Sequence, residues 1–273
     1  MDWVEGFYSR TGAWWGQAES AVSARDTDRL AVLERHTNRL AHDHASPLRI
    51  LDLGSSYGST AFVMAQAGHD VTGVELSERI AFTERLDRTA ITGALRFVQA
   101  DFYTFEDDIR FDVITYWNGF GIGSDADQRR LLRRMAERWL RPGGLVLLDV
   151  FNPVRCAQWV GDEEIRDARP DAGYPYSVHE RTDFDPASNR FVDTWWEAGH
   201  PDAPISQSLR CYSPADLLLL LEGTGFHALV FEAGGTPFML GVAGVLEPDH
   251  PLWRHHEYLA VLAVAHEGAE DRP

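Results

Sequence analysis

Apolar residues recur along this chain in two rhythms, and the way the rhythms alternate sets the expected architecture. Short, nearly continuous apolar runs occur at 50–53 (ILDL), 70–76 (DVTGVEL), 95–100 (LRFVQA), 111–117 (FDVITYW) and 145–150 (LVLLDV). Runs of that length suit parallel strands buried on both faces. Between them, residues 59–68, 77–89 and 125–140 read as helices, and 20–44 reads as an amphipathic helix with Leu30, Leu33 and Leu40 among arginines and acids. Strand alternating with helix predicts a parallel sheet covered by helices on both faces.

From 154 to 210 the rhythm becomes polar and aromatic alternation. SVHERTDFD and RFVDTWWEA flank the turn-forming Pro186-Ala187-Ser188-Asn189, which predicts a β-hairpin. Helical spacing returns over 213–225, where Ser213 suits an N-cap, Pro214 the first helical position and Gly225 the stop. Residues 227–232 and 258–265 read as the last two strands. The stretch 236–256 between them exceeds what a tight hairpin needs and reads as a covering or oligomer-contact segment. Three units follow: an N-terminal aromatic and helical cap (1–44), a main domain (45–153 and 211–273) and an insert (154–210). The cap holds Trp3, Phe7, Tyr8, Trp14 and Trp15 spaced by Gly6, Gly12 and Gly16, too many rings for a loose tail. It either covers an apolar edge of the domain or forms a lid over a ligand crevice.

A chain of 273 residues suits one large α/β domain with an insertion. The net charge is -17, and all 25 basic residues are arginine. Without lysine, lysine Schiff-base chemistry is excluded. An acidic surface repels phosphate backbones, so no nucleic-acid partner is expected, and the arginines of 129–141 have the spacing of a solvated helix face. Cys156 and Cys211 form no Cys-x-x-Cys pair, the N-terminus lacks an apolar signal core, and no apolar run approaches membrane length. A cytoplasmic protein without a membrane partner is the expectation. His42 and His44 flank Asp43 with no third ligand nearby, so no metal site is expected.

The chemistry centres on 48–60 (LRILDLGSSYGST), where an apolar strand runs into a glycine turn and then a helix. Gly54 and Gly58 let the backbone approach a ligand, and the N–H groups opening the helix can receive a polar or anionic group. The spacing lacks the Gly-x-Gly-x-x-Gly of a dinucleotide site, and no lysine follows to make a P-loop. Asp52-x-Gly54-x-x-x-Gly58 instead resembles the first motif of the class I S-adenosylmethionine-dependent methyltransferases. Glu75 then ends the second strand, Asp101-Phe102 follows the third, and Leu140-Arg141-Pro142-Gly143-Gly144 precedes the fifth. Gly119-Phe120-Gly121-Ile122 and Phe151-Asn152-Pro153 stand at the turns after strands four and five. In this order the features resemble the small-molecule branch of that family over 45–151.

The resemblance implies an α/β fold: a Rossmann-like, mostly parallel seven-stranded sheet with helices on both faces and a small antiparallel β insert over the active-site mouth. It implies S-adenosyl-L-methionine as cofactor, with Asp52, Gly54, Ser56 and Gly58 around the methionine part and ribose. Glu75 would take the ribose hydroxyls with Leu76 beside it, Asp101 and Phe102 the adenine, and Trp117 and Asn118 would complete the site at the end of strand four. Asp101 could instead cap a short turn. The implied reaction is methyl transfer to an N, O or C atom of a small organic molecule in specialised metabolism. The same fold performing a non-methyl displacement or ring closure, or serving as a non-catalytic partner subunit, is the alternative; a homo-oligomer or a partner protein is compatible with either reading. His179 is the first candidate for a general base, with Glu180, Arg181 and Tyr8 also near the mouth. Two residues depart from the family pattern: Ser56 replaces the usual glycine and Tyr57 an often small residue. A Tyr57 ring turned outward would flank the crevice; one turned inward would partly fill it.

Overall fold

The computed structural model describes residues 2–38, 47–240 and 246–264. Helices α1 (Asp2–Glu19) and α2 (Ala24–Thr37) precede β1 (Arg49–Leu53), α3 (Ser59–Gln66), β2 (Asp70–Glu75), β3 (Ala94–Gln99), β4 (Phe111–Phe120), α4 (Asp125–Arg134) and β5 (Leu140–Phe151). A short helix α5 (Pro153–Cys156) leads into β6 (Asp162–Arg166), β7 (Val178–Asp185), β8 (Arg190–Glu197) and β9 (Ile205–Arg210). The chain returns through α6 (Pro214–Leu221) to β10 (Phe226–Ala233), β11 (Thr236–Phe238) and β12 (Glu257–Val264).

The main sheet has the order β11-β10-β12-β5-β4-β1-β2-β3. Its β3-to-β5 half is parallel throughout, and β12, β10 and β11 join it antiparallel. Alternate strand residues fill both faces, as burial on two sides requires. Leu51, Leu53, Val146 and Leu148 join one core with Trp139, whereas Ile50, Val113, Leu145 and Leu147 join another with Leu33 and Met64. Ser213 caps α6 as its sequence suggests: its hydroxyl accepts from the Asp216 N–H at 3.1 Å.

Several elements differ from expectation. The sheet gains an eighth strand, because Gly234 and Gly235 both take positive φ and fold β11 back onto β10. Residues 77–89 form short 3-10 turns (Glu78–Arg85 and Arg88–Ala90) rather than an α-helix, since Phe82 is used as a contact for α1 and Tyr57 instead of lying on a helical stripe. The helix expected over 125–140 ends in a π-helical turn, Met135–Trp139, which buries both end residues completely. The hairpin expected in the insert belongs to a four-stranded antiparallel sheet, β6-β7-β8-β9, whose outer strands lack a clear apolar alternation.

Cys156 and Cys211, distant in sequence, sit as free thiols in one buried cluster with Phe191 and Leu209. Leu40, His42, Asp43, His44 and Ala265, together with 241–245, lie outside the described residues. Among the described residues no helix is long and apolar enough to cross a membrane.

Candidate functional site

The strand order reverses between β1 and β4, so the carboxyl ends of these strands border a crevice. A cavity of about 820 Å³ occupies it, roofed by α1 and the insert sheet. Every residue named above for the cofactor lines this cavity except Gly58. Gly58 has a shaping role instead: at φ 81°, an added Cβ would fall 2.6 Å from the Phe97 ring and 2.8 Å from Thr83. Ser56 sits at φ 53°, unusual for a residue with a side chain. Its N–H donates to Glu75 Oε2 at 2.8 Å, which ties the turn to the end of β2. The other Glu75 oxygen accepts from the Ser77 N–H at 2.8 Å and hydroxyl at 2.6 Å.

Asp101 both lines the cavity and caps the following turn, accepting from the Tyr103 N–H at 2.8 Å. Phe102 packs on Tyr116 with ring centroids 5.5 Å apart. At the end of β4 the pairing register slips between Tyr116 and Phe120, and Asn118 takes φ 54°. With its amide turned to suit its neighbours, Asn118 donates to Glu257 at 2.6 Å and accepts from Arg29 and Arg25 at 3.1 and 3.0 Å.

Arg25 and Arg29 were not anticipated. One turn apart on α2, among the arginines and acids of its amphipathic pattern, both line the cavity. Arg29 lies 5.1 Å over the Trp117 ring, bonds Thr60 at 3.2 Å and pairs with Asp149 at 3.7 Å. Burial pushes the Asp52 carboxyl up to about 6 despite the Thr115 hydrogen bond and the Arg29 charge. Burial and the Glu257 charge raise Asp149 to about 7. Asp26 resists the same burial: bonds from Thr60, Ser23 and Ser59 hold its carboxyl below the usual range. It accepts from the Ser59 and Thr60 hydroxyls at 2.9 and 2.6 Å, beside the α3 N-terminus that the sequence had offered to an anionic ligand group.

The far half of the cavity is aromatic. Phe7 and Trp15 from α1 pack against Trp195 from β8, at 5.4 and 4.5 Å between centroids. Tyr57 packs edge-on against Phe82 and lies under the Arg79 guanidinium, so its ring flanks the cavity. Ser55 Oγ, Tyr57 Oη and the indole nitrogens of Trp117 and Trp195, all from lining residues, are buried without a hydrogen-bond partner. Arg79 joins the two halves: its Nε donates to the Tyr8 carbonyl at 3.0 Å, and its other nitrogens reach Ser56 at 3.4 Å and Thr11.

The catalytic candidates separate. Tyr8 lines the cavity, but burial pushes its phenol far above the ordinary range, so it supplies no phenolate base. His179 and Arg181 alternate with the inward Val178 and Thr182 on β7 and fall outside the cavity lining. His179 stacks on Trp196 at 5.3 Å, and Arg181 pairs with Asp183 at 3.0 Å. The strand's two-residue period, which sets them on the opposite face from Trp195, removes them from the mouth. Among the described residues no cluster of three metal-ligating groups occurs.

A family model described as a methyltransferase domain matches residues 25–229. The cypemycin N-terminal methyltransferase of a Streptomyces species is 31% identical over 114 residues, which is 41% of this chain and 46% of that protein. The chain thus matches just under half the length of this curated relative. Among solved structures, the CcbJ methyltransferase of Streptomyces caelestis superposes with a TM-score of 0.67 at 19% identity, covering 90% of this chain and 92% of that one. CalS10, an amino pentose methyltransferase of Micromonospora echinaspora, gives 0.55 at 18% identity, covering 87% and 91%.

Proposed function

The chain belongs to the methyltransferase domain family, and from that premise we propose that it is an S-adenosylmethionine-dependent enzyme that methylates an amine nitrogen of a small natural-product molecule. The observation that carries this reading is a single cavity divided in character. One half gathers the turn, Glu75 and Asp101-Phe102; the other is walled by the rings of Phe7, Trp15 and Trp195. The relative named for methylation of an N-terminus supports nitrogen as the acceptor.

The cofactor supplies an electrophilic methyl group on sulfur. In our reading Glu75 holds the ribose hydroxyls, Asp101, Phe102 and Leu76 the adenine, and Asp52 with the Gly54–Ser56 backbone the methionine part. Arg25 and Arg29 offer positive charge for its carboxylate. The unpartnered Ser55 hydroxyl fits a site built for a polar ligand. The aromatic half would orient the acceptor and exclude water, and orientation supplies most of the acceleration in a one-step displacement. A neutral amine carries its own lone pair, so no protein base is required.

The test pairs binding with turnover. S-adenosylhomocysteine should bind in calorimetry and raise the melting temperature, since a ligand at a hundred times its dissociation constant stabilises by about 2.7 kcal/mol. Radiolabelled S-adenosylmethionine should then pass its methyl group to amines in preference to alcohols and carboxylic acids. Absence of S-adenosylhomocysteine binding at millimolar concentration would refute the reading.

A further inference from the structure

Building on the methyl-transfer reading, we propose that Asp193 and Gln207 are positioning residues that make the Tyr8 hydroxyl an acceptor for the N–H of an amine substrate. Three strands of the insert bring the parts together. Thr182, Asp193 and Gln207 are direct cross-strand partners on β7, β8 and β9, so they form one row across the sheet. Thr182 Oγ1 donates to Asp193 Oδ1 at 3.1 Å, and Gln207 Nε2 donates to Asp193 Oδ2 at 2.9 Å. Gln207 Oε1 then accepts from the Tyr8 hydroxyl at 3.1 Å. Tyr8 and Gln207 line the cavity, and Asp193 is buried behind them.

The row has a direction. An ionised carboxylate only accepts, so Asp193 draws the amide NH2 of Gln207 toward itself and turns the amide oxygen toward α1. That oxygen takes the one proton Tyr8 can donate. The Tyr8 oxygen is left with lone pairs alone, and what it can bind in the cavity is a donor. An amine N–H meets that requirement while leaving the nitrogen lone pair free to attack. A carboxylate or ether oxygen does not. An alcohol could donate too, but it would need a base to become nucleophilic, and the phenol of Tyr8 cannot take its proton. A buried acid held mainly by neutral donors is an expensive way to secure a sheet, which argues for its directing role.

Protonation reverses the row. Burial pushes Asp193 up to about 7, with Glu180 on β7 raising it further, while the bonds from Gln207 and Thr182 and the charge of Arg166 on β6 lower it. Tyr8 on α1 and Cys156 on α5 are the other titratable neighbours. Once protonated, Asp193 donates, the Gln207 amide turns over, and its NH2 faces Tyr8. The Tyr8 proton is then released toward the cavity, where it opposes an amine N–H.

The experiment measures kcat/KM against pH for methyl transfer from S-adenosylmethionine to ring- and chain-substituted phenethylamines of graded pKa. The wild type should show two acid-side limbs: one moving with the pKa of each amine, and one fixed near 7 across the series. Asp193→Asn should lose the fixed limb. Gln207→Leu and Tyr8→Phe should raise KM about tenfold with a smaller change in kcat, the worth of one hydrogen bond. S-adenosylhomocysteine affinity, measured without amine, reports folding of each variant and tests the methyl-transfer reading separately. If Asp193→Asn does not fold, the two cavity-facing variants decide. The proposal is overturned by a wild-type profile without a fixed limb, by a limb that survives in Asp193→Asn, by unchanged KM in the cavity variants, or by failure of every amine to accept methyl.

Discussion

Glu75 serves two structures with one carboxylate. Its oxygens accept three hydrogen bonds from Ser56 and Ser77, so it shapes the turn that it would also present to a ribose. Glu75→Ala should therefore weaken S-adenosylhomocysteine binding by about 1.5 to 3 kcal/mol and lower the melting temperature of the free protein as well. Calorimetry showing unchanged affinity in a folded variant would remove Glu75 from the site. Asp52 makes the opposite kind of prediction. Its folded-state pKa of about 6 lies above the usual carboxylate value, so the folded chain holds more protons than the unfolded one between roughly pH 4 and 6. Its contribution to stability then falls as pH rises across that window. Asp52→Asn keeps an acceptor for Thr115 and should melt higher than the wild type at pH 8, by about 1 to 3 kcal/mol, with the gap closing below pH 4. A constant difference at both pH values would contradict the assignment.

At the scale of elements, α1 shows how one residue type can be neutral at one turn and decisive at another. Glycine costs a helix roughly 1 kcal/mol relative to alanine. An added Cβ at Gly6 meets nothing within 4 Å, whereas at Gly16 it would come within 2.2 Å of the Phe82 ring. Gly6→Ala should raise the melting temperature, and Gly16→Ala should lower it, since overpacking costs about 1 to 3 kcal/mol and outweighs the helical gain. Equal stabilisation by both in parallel thermal melts would mean that α1 does not sit on the Phe82 segment. Trp195 and Trp196 teach the same lesson in a strand: adjacent residues face opposite ways, one into the cavity and the other onto His179.

Across the whole molecule, the N-terminal helix, the insert and the main sheet meet around one cavity. Trp14 Nε1 and Arg10 both donate to Glu197, at 2.7 and 2.5 Å, and fasten α1 to β8. Arg79 fastens the same helix to the glycine turn. Arg79→Ala should loosen α1 without unfolding the body, so hydrogen exchange should rise in 2–19 while β1, β4 and β5 stay protected. Unchanged exchange in 2–19 would show that the Glu197 bonds and the aromatic contacts hold α1 without Arg79.

The main sheet and the residues that line the crevice at its strand ends were legible because each is written locally. Buried strands need apolar runs, and a crevice at a strand end draws on residues fixed to that end, such as Asp52, Glu75 and Asp101. What the sequence could not show depends on contacts between distant segments. Arg25 and Arg29 are merely two charges of an amphipathic pattern until α2 is laid beside Asn118 and Trp117. The outer strands β6 and β9 have no strong alternation because tertiary pairing, not a local apolar face, defines them. His179 looked like a base because its residue type is suited to proton transfer, but the period of β7 turns it outward. The row from Asp193 to Tyr8 joins residues 185 positions apart in the chain, and only the packing of α1 on the insert brings them into hydrogen-bond reach.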